Sequence, residues 1–194
     1  MSFRSNPVKT APASAGTPRS AKSIAFQQAW ASIPKKGHVP DKADFRPERL
    51  KGLLNDVYLV ELHEETEKRV LFRLAGQSIR DGLGIEMRGL NYTDFVPPEH
   101  RESSGISMQL LFGPVPCGRW VRKEIVHRDG FRELIQLTQF PMTDLASGAR
   151  LVLGIVEGFG EDHTHADADG GNFRFENLDT EHFIDIGAGL PDGG

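Results

Sequence analysis

The order of candidate elements along this 194-residue chain predicts an α+β fold. Three observations carry that expectation. Two strand-like runs are joined by a polar turn between residues 57 and 75, a stretch from 77 to 112 has helical spacing and no convincing strand, and three strand-like runs follow between 119 and 157. The runs gather β-branched and aromatic residues, whereas the middle stretch is punctuated by Gly and Pro where helices start and stop.

Residues 1–23, rich in Ser, Ala and Pro, bury too little surface to offset the entropy of ordering and are expected to form a disordered arm. Ser23 is the expected N-cap of a first helix, whose apolar face holds Ile24, Phe26, Ala29, Trp30 and Ile33 before Pro34 stops it. A second short helix is expected over 47–54, opened by Pro47, with Leu50, Leu53 and Leu54 facing inward. These two elements form an N-terminal helical cap. The runs VYLVEL (57–62) and VLFRLA (70–75), separated by the polar turn 63–68, read as an antiparallel hairpin that Gly76 ends. Short helices over 77–83 and 92–96 precede a longer one over 99–112, with Pro98 in its first turn and Gly113-Pro114 at its end. Strands over 119–127, 131–140 and 150–157 complete the domain, and Asp129-Gly130 joins the first two as a two-residue hairpin signal.

The net charge of -4 is unevenly spread. Residues 1–23 carry +4, residues 24–160 carry 18 basic and 18 acidic residues that cancel, and residues 161–194 set nine acids against Arg174 for -8. A neutral middle lacks the concentrated basic face that nucleic acid requires. No apolar run approaches the roughly 18 residues of a membrane span, and the N-terminal residues lack the apolar h-region expected of a secretory signal. One cysteine, Cys117, excludes an intramolecular disulfide framework and an all-cysteine metal site. A cytoplasmic setting is expected.

No catalytic constellation assembles. Gly82-Leu83-Gly84 is followed by Met87 where a dinucleotide fingerprint needs its third glycine. Ser103 and Ser104 lack a nucleophile-elbow setting, and Cys117 sits at a strand entrance with no base nearby. The run from Asp162 to Asp169 packs two histidines and three carboxylates into eight residues, but it offers no second shell to fix a metal and reads as a solvating spacer. Neither a catalytic residue nor a metal site is expected.

Trp30, then Pro40 with Ala43-Asp44-Phe45 and Pro47, then Leu53-Leu54 lead into the first strand. Phe72-Arg73-Leu74-Ala75-Gly76, Ile79, Gly84 and Met87-Arg88-Gly89-Leu90 follow in order, and the helix-to-hairpin segment through Asp129-Gly130 closes the series. In this order the sequence resembles a PAS domain, in particular the compact stand-alone bacterial PAS proteins, over roughly residues 30–160. The resemblance implies a five-stranded antiparallel sheet with helices packed on one face, enclosing a pocket or a tight apolar core. Domain limits are then an arm over 1–23, a PAS-like domain over 24–160 and an acidic tail over 161–194.

Some PAS domains hold flavin or haem. Photosensing members carry a cysteine in a central helical segment, and the corresponding LNYTDFV (90–96) has none. His100 and His127 are poorly placed for haem ligation, so no cofactor is expected. The resemblance brings Phe72, Leu74, Ile79, Tyr92, Phe95, Met108, Leu111, Phe112, Trp120, Ile135 and Leu137 between sheet and helices. Tyr92, Arg122, Arg73 and Gln136 are the candidate polar groups of a pocket there. Phe26, Trp30 and Ile33 must bury against the chain's own sheet or a second copy, which makes them candidates for a homodimer contact. Residues 172–190 combine three phenylalanines with acids and suit a docking segment, in cis or in trans. The expected function is that of a non-enzymatic regulatory protein acting through an unidentified protein partner or self-association. The alternative is a sensor whose small-molecule occupancy alters that interaction surface.

Overall fold

The computed structural model describes residues 19–63, 69–159 and 173–191. Helix α1 (Ala21–Ala31) begins earlier than expected: Ser20 is the N-cap, its hydroxyl accepting from Ser23 N at 2.9 Å. Ser23 lies inside the helix, where its hydroxyl meets Thr138 Oγ1 at 2.6 Å in a fully buried contact. Tertiary docking has taken the hydroxyl that local sequence offered as a cap. The expected helix over 47–54 is two 3-10 turns, Pro47–Leu50 and Leu54–Asp56. Between them Gly52 adopts φ +84°, a left-handed conformation that stops a helix. Leu50 is buried, but Leu54 faces solvent.

Strands β1 (Val57–Leu62) and β2 (Val70–Ala75) pair antiparallel as expected. Helix α2 (Gln77–Leu83), a 3-10 turn at Tyr92–Phe95 and helix α3 (Pro98–Gln109) follow, and a further 3-10 turn, Leu110–Phe112, completes the middle stretch. Strands β3 (Cys117–His127), β4 (Arg132–Asp144) and β5 (Ala149–Glu157) come next. The β3 to β4 connection spans four residues, 128–131, rather than two. His127 N donates to Phe131 O, Gly130 N donates to His127 O, and Gly130 takes φ +85°. Its glycine supplies the left-handed residue of a turn followed by a bulge.

The class is α+β and the sheet is antiparallel, but it has six strands, in the order β2-β1-β5-β4-β3-β6. The sixth, β6 (Phe173–Asp185), comes from the segment expected to be tail and pairs along β3 from Cys117↔Asp185 to His127↔Phe173. Five strands would leave β3 as an open edge beside the apolar Phe173 and Phe175; pairing satisfies the backbone and buries both rings.

Helices pack on one face of the sheet, and the N-terminal cap lies on the other. On the inner face, α2 and α3 close over a core that includes Tyr58, Phe72, Ile79, Tyr92, Met108, Ile135 and Phe175. On the outer face, α1 lays Phe26 and Trp30 over Trp120, Phe140 and Leu153. The Trp30 and Phe140 rings stack at 4.8 Å, and Trp30 Nε1 donates to Pro141 O at 3.0 Å. Phe26, Trp30 and Ile33 are 0, 2 and 2 % exposed, so the stripe is spent within the chain and is not a free dimer surface.

Candidate functional site

Alternation along each strand puts every second side chain on the inner face, and the register decides which. Arg119 pairs with Gln139, Lys123 with Ile135, and Tyr58 with Gly154. Arg119, Lys123, Gln139 and Tyr58 therefore share the inner face with Val121, Ile125 and Leu137. Gly154 leaves room for the Tyr58 ring, which a Cβ at that position would meet at 2.4 Å.

These polar groups form two short chains. Arg119 Nη1 donates to Gln139 Oε1 at 3.3 Å, and Gln139 Nε2 donates to Tyr58 Oη at 2.6 Å. A guanidinium only donates, so it fixes the amide orientation and makes Tyr58 Oη an acceptor. Burial pushes the Tyr58 phenol well above its ordinary pKa, so it keeps its proton. Arg119 Nε also lies 2.5 Å from Glu181 Oε1 on β6, an ion pair by distance rather than by hydrogen-bond alignment. In the second chain Lys123 Nζ donates to Tyr92 Oη at 2.5 Å and sits 5.3 Å from that ring's centroid. Lys123 is 5 % exposed.

A cavity of about 30 Å³ lies between these groups and the helices. Its lining is almost wholly apolar, supplied by Val60, Phe72, Ile79, Leu83, Met108, Ile135, Leu137, Val156, Phe159 and Phe175 with the apolar parts of Tyr58, Tyr92 and Gln139. Phe175 packs on Tyr92 with centroids 5.2 Å apart, and Phe173 stacks on Phe95 at 4.7 Å. Strand β6 is thus a wall of the cavity as well as an edge of the sheet.

Of the residues expected to converge here, Phe72, Ile79, Tyr92, Met108, Ile135 and Leu137 line the cavity. Leu111, Phe95 and Phe112 belong to the same core behind that lining. Three do not belong. Leu74 is 48 % exposed on β2, Trp120 is in the outer core against α1, and Arg122 alternates to the outer face with it. Of the other polar candidates, Arg73 is exposed and donates to Glu61 at 2.6 Å, holding that carboxyl below its usual pKa. Gln136 pairs with Arg122 and shares its outer face.

Tyr58, Gln139, Phe175 and the buried cations Arg119 and Lys123 are absent from that expectation. A two-residue turn at Asp129-Gly130 pairs Arg122 with Leu137, and only the longer turn observed brings Lys123 to the face of Ile135 and Leu137. One signal pointed to Tyr58. A glycine inside strand β5 marks the close approach of Tyr58.

His100 is exposed, while His127 is buried with Nε2 3.5 Å from Glu133 Oε2, rather than solvated as a polar strand end would be. Among the described residues no group of three or more His, Cys, Asp or Glu side chains could hold a metal, and the run from Asp162 to Asp169 lies outside them. Cys117 is fully buried, and burial pushes its thiol up to about 11. Iodoacetamide at mildly alkaline pH is therefore expected to leave native protein unmodified and to label it in denaturant; mass spectrometry showing fast labelling of native protein would contradict this.

No helix among the described residues is long and apolar enough to cross a membrane. A family model described as PAS domain matches residues 18–155, which takes in α1, strands β1 to β4 and all but the last two residues of β5, and stops before β6. No curated protein matches the chain.

Proposed function

The chain belongs to the PAS domain family, a family of signalling and sensing modules, and from that premise we propose a non-enzymatic regulatory protein that senses a small molecule within its sheet. Occupancy is passed on by altering a surface that binds another protein. The observation that carries this reading is the small cavity between sheet and helices. Tyr58, Tyr92 and Gln139, backed by Arg119 and Lys123, are costly groups to bury, and they lie together beside a space whose lining is apolar.

Strand β6 supports the output half of the reading. Phe175 touches the cavity, and the same strand ends the sheet with its outer backbone edge. An occupant that displaces Phe175 also shifts an edge to which an extended partner segment can add. A partner protein or a second copy would use the same edge, because the stripe of Phe26, Trp30 and Ile33 is already covered. The setting we propose is the cytoplasm, which suits the lone buried thiol.

Native mass spectrometry of protein purified from its own source, with an absorbance scan, tests the sensing half. The expected result is a small bound mass and no visible chromophore, because about 30 Å³ is far below the roughly 300–1,000 Å³ of a drug-sized site. A flavin or Soret band that survives dialysis would overturn the colourless expectation. Protein that is uniformly free of added mass, and that gains none from a cell extract, would sink the sensing reading.

A further inference from the structure

We infer that the seat of β6 on β3 is a docking site for an extended segment of a partner protein that carries two carboxylates, one for Arg119 and one for Lys123, and that β6 occupies it as an autoinhibitory stand-in. The inference rests on the output half of the reading above, that a surface of this chain binds another protein, and not on occupancy of the cavity. It adds a second seat to the outer edge named there. The family match ends at residue 155, within β5, so the matched domain holds five strands and leaves the β3 edge open. Strand β6 closes that edge from outside the match. Residues 158–172 join it to β5, far more chain than passing β4 and β3 requires, so exchange of β6 for another strand does not oblige the other five to part.

Charge identifies what the seat prefers. Arg119 and Lys123 are buried on the inner face of β3 with Val121 between them. Glu181, opposite Val121, pairs with Arg119. Nothing equivalent reaches Lys123: among the described residues it forms no ion pair and donates to the Tyr92 hydroxyl. A buried ammonium without a counter-charge is costly. The register shows why β6 leaves it so. Shifts on both sides of Lys123 break the ladder, and the residue set opposite it is Leu178, which carries no charge. A strand in regular antiparallel register that puts a carboxylate opposite Val121 puts the residue two positions before it opposite Lys123. Two acids separated by one residue on an extended segment therefore answer both cations, and such a segment displaces β6. An aromatic side chain nearer its N-terminus takes the place of Phe175 against Tyr92.

The test is fluorescence anisotropy of two labelled synthetic peptides added to the full chain: residues 173–185 as they stand, and the same peptide with Leu178→Glu. The expected result is that the Leu178→Glu peptide binds at least about tenfold tighter, the range for a contact to a charged group, and that Lys123→Met in the protein removes the difference. Glu181→Gln in the protein loosens its own strand and should tighten both peptides about fivefold or more, which keeps the inference testable if Lys123→Met does not fold. Hydrogen exchange locates the bound peptide. Amides of β6 should lose protection as the peptide takes their place. A gain of protection along β6 would mean addition to its outer edge, which overturns this inference and leaves the partner-binding reading standing. Equal binding of the two peptides, or binding of neither to the wild-type and Glu181→Gln proteins, would also overturn it.

Discussion

A protein lacking residues 1–34 is expected to lose cooperative folding and to aggregate, rather than to pass cleanly from dimer to monomer. Helix α1 is the cover of the outer core. Without it Trp120, Phe140 and Leu153, now at most 2 % exposed, meet water together. An apolar patch of that kind drives association. Polar contacts are lost as well: Ser20 Oγ donates to Glu157 at 2.7 Å, and Ser23 meets Thr138 in the interior. The single substitution Trp30→Ala should cost about 3–5 kcal/mol, since it removes a stacked ring and leaves Pro141 O without its indole donor. Urea denaturation reads the variant and light scattering reads the deletion. An unchanged midpoint in the variant, or a deletion protein that stays monodisperse, is incompatible with α1 as a core element.

The second large effect is expected at the other end. A chain ending at residue 160 should lose hydrogen-exchange protection along β3, because ten residues of that strand pair with β6. Exposure of Tyr92 and Phe95 should follow, since Phe175 and Phe173 pack on them. Phe175→Ala alone should cost about 3–5 kcal/mol and enlarge the cavity it lines. Identical exchange on β3 in the full and shortened proteins would show that β6 does not pair there in solution.

Local signals made most of the fold legible. The β1 to β2 hairpin and α2 lie where alternation, helical spacing and Gly76 put them. What stayed hidden depended on distant partners. Ser23 read as a cap because nothing nearby announces Thr138, 115 residues away, as its partner. Strand β6 read as an acidic docking tail because its acids are answered from elsewhere in the sheet: Glu181 by Arg119, and Glu176 by Arg132 at 3.5 Å. For the candidate site the limit was face, not composition. A two-residue turn at Asp129-Gly130 puts Trp120 and Arg122 on the face of Ile135 and Leu137, and the longer turn that forms pairs Trp120 with Thr138 and exchanges Lys123 for Arg122.

The strand order also dictates a timetable for biosynthesis. Strand β1 pairs on one side with β2 and on the other with β5, where Val57 faces Ile155. During translation at about 5–20 residues per second, on the order of ten seconds separate the emergence of those two strands. For that interval the nascent β1 to β2 hairpin carries an unpaired edge holding Val57 and Leu59, and β6 arrives later still. Closure of the sheet is a long-range event that sets folding on the order of milliseconds to seconds after the last strand is made. Yield in a heterologous host should therefore depend on how well the waiting hairpin is shielded, and slower induction or added chaperone should matter more than any change to the surface of the finished protein.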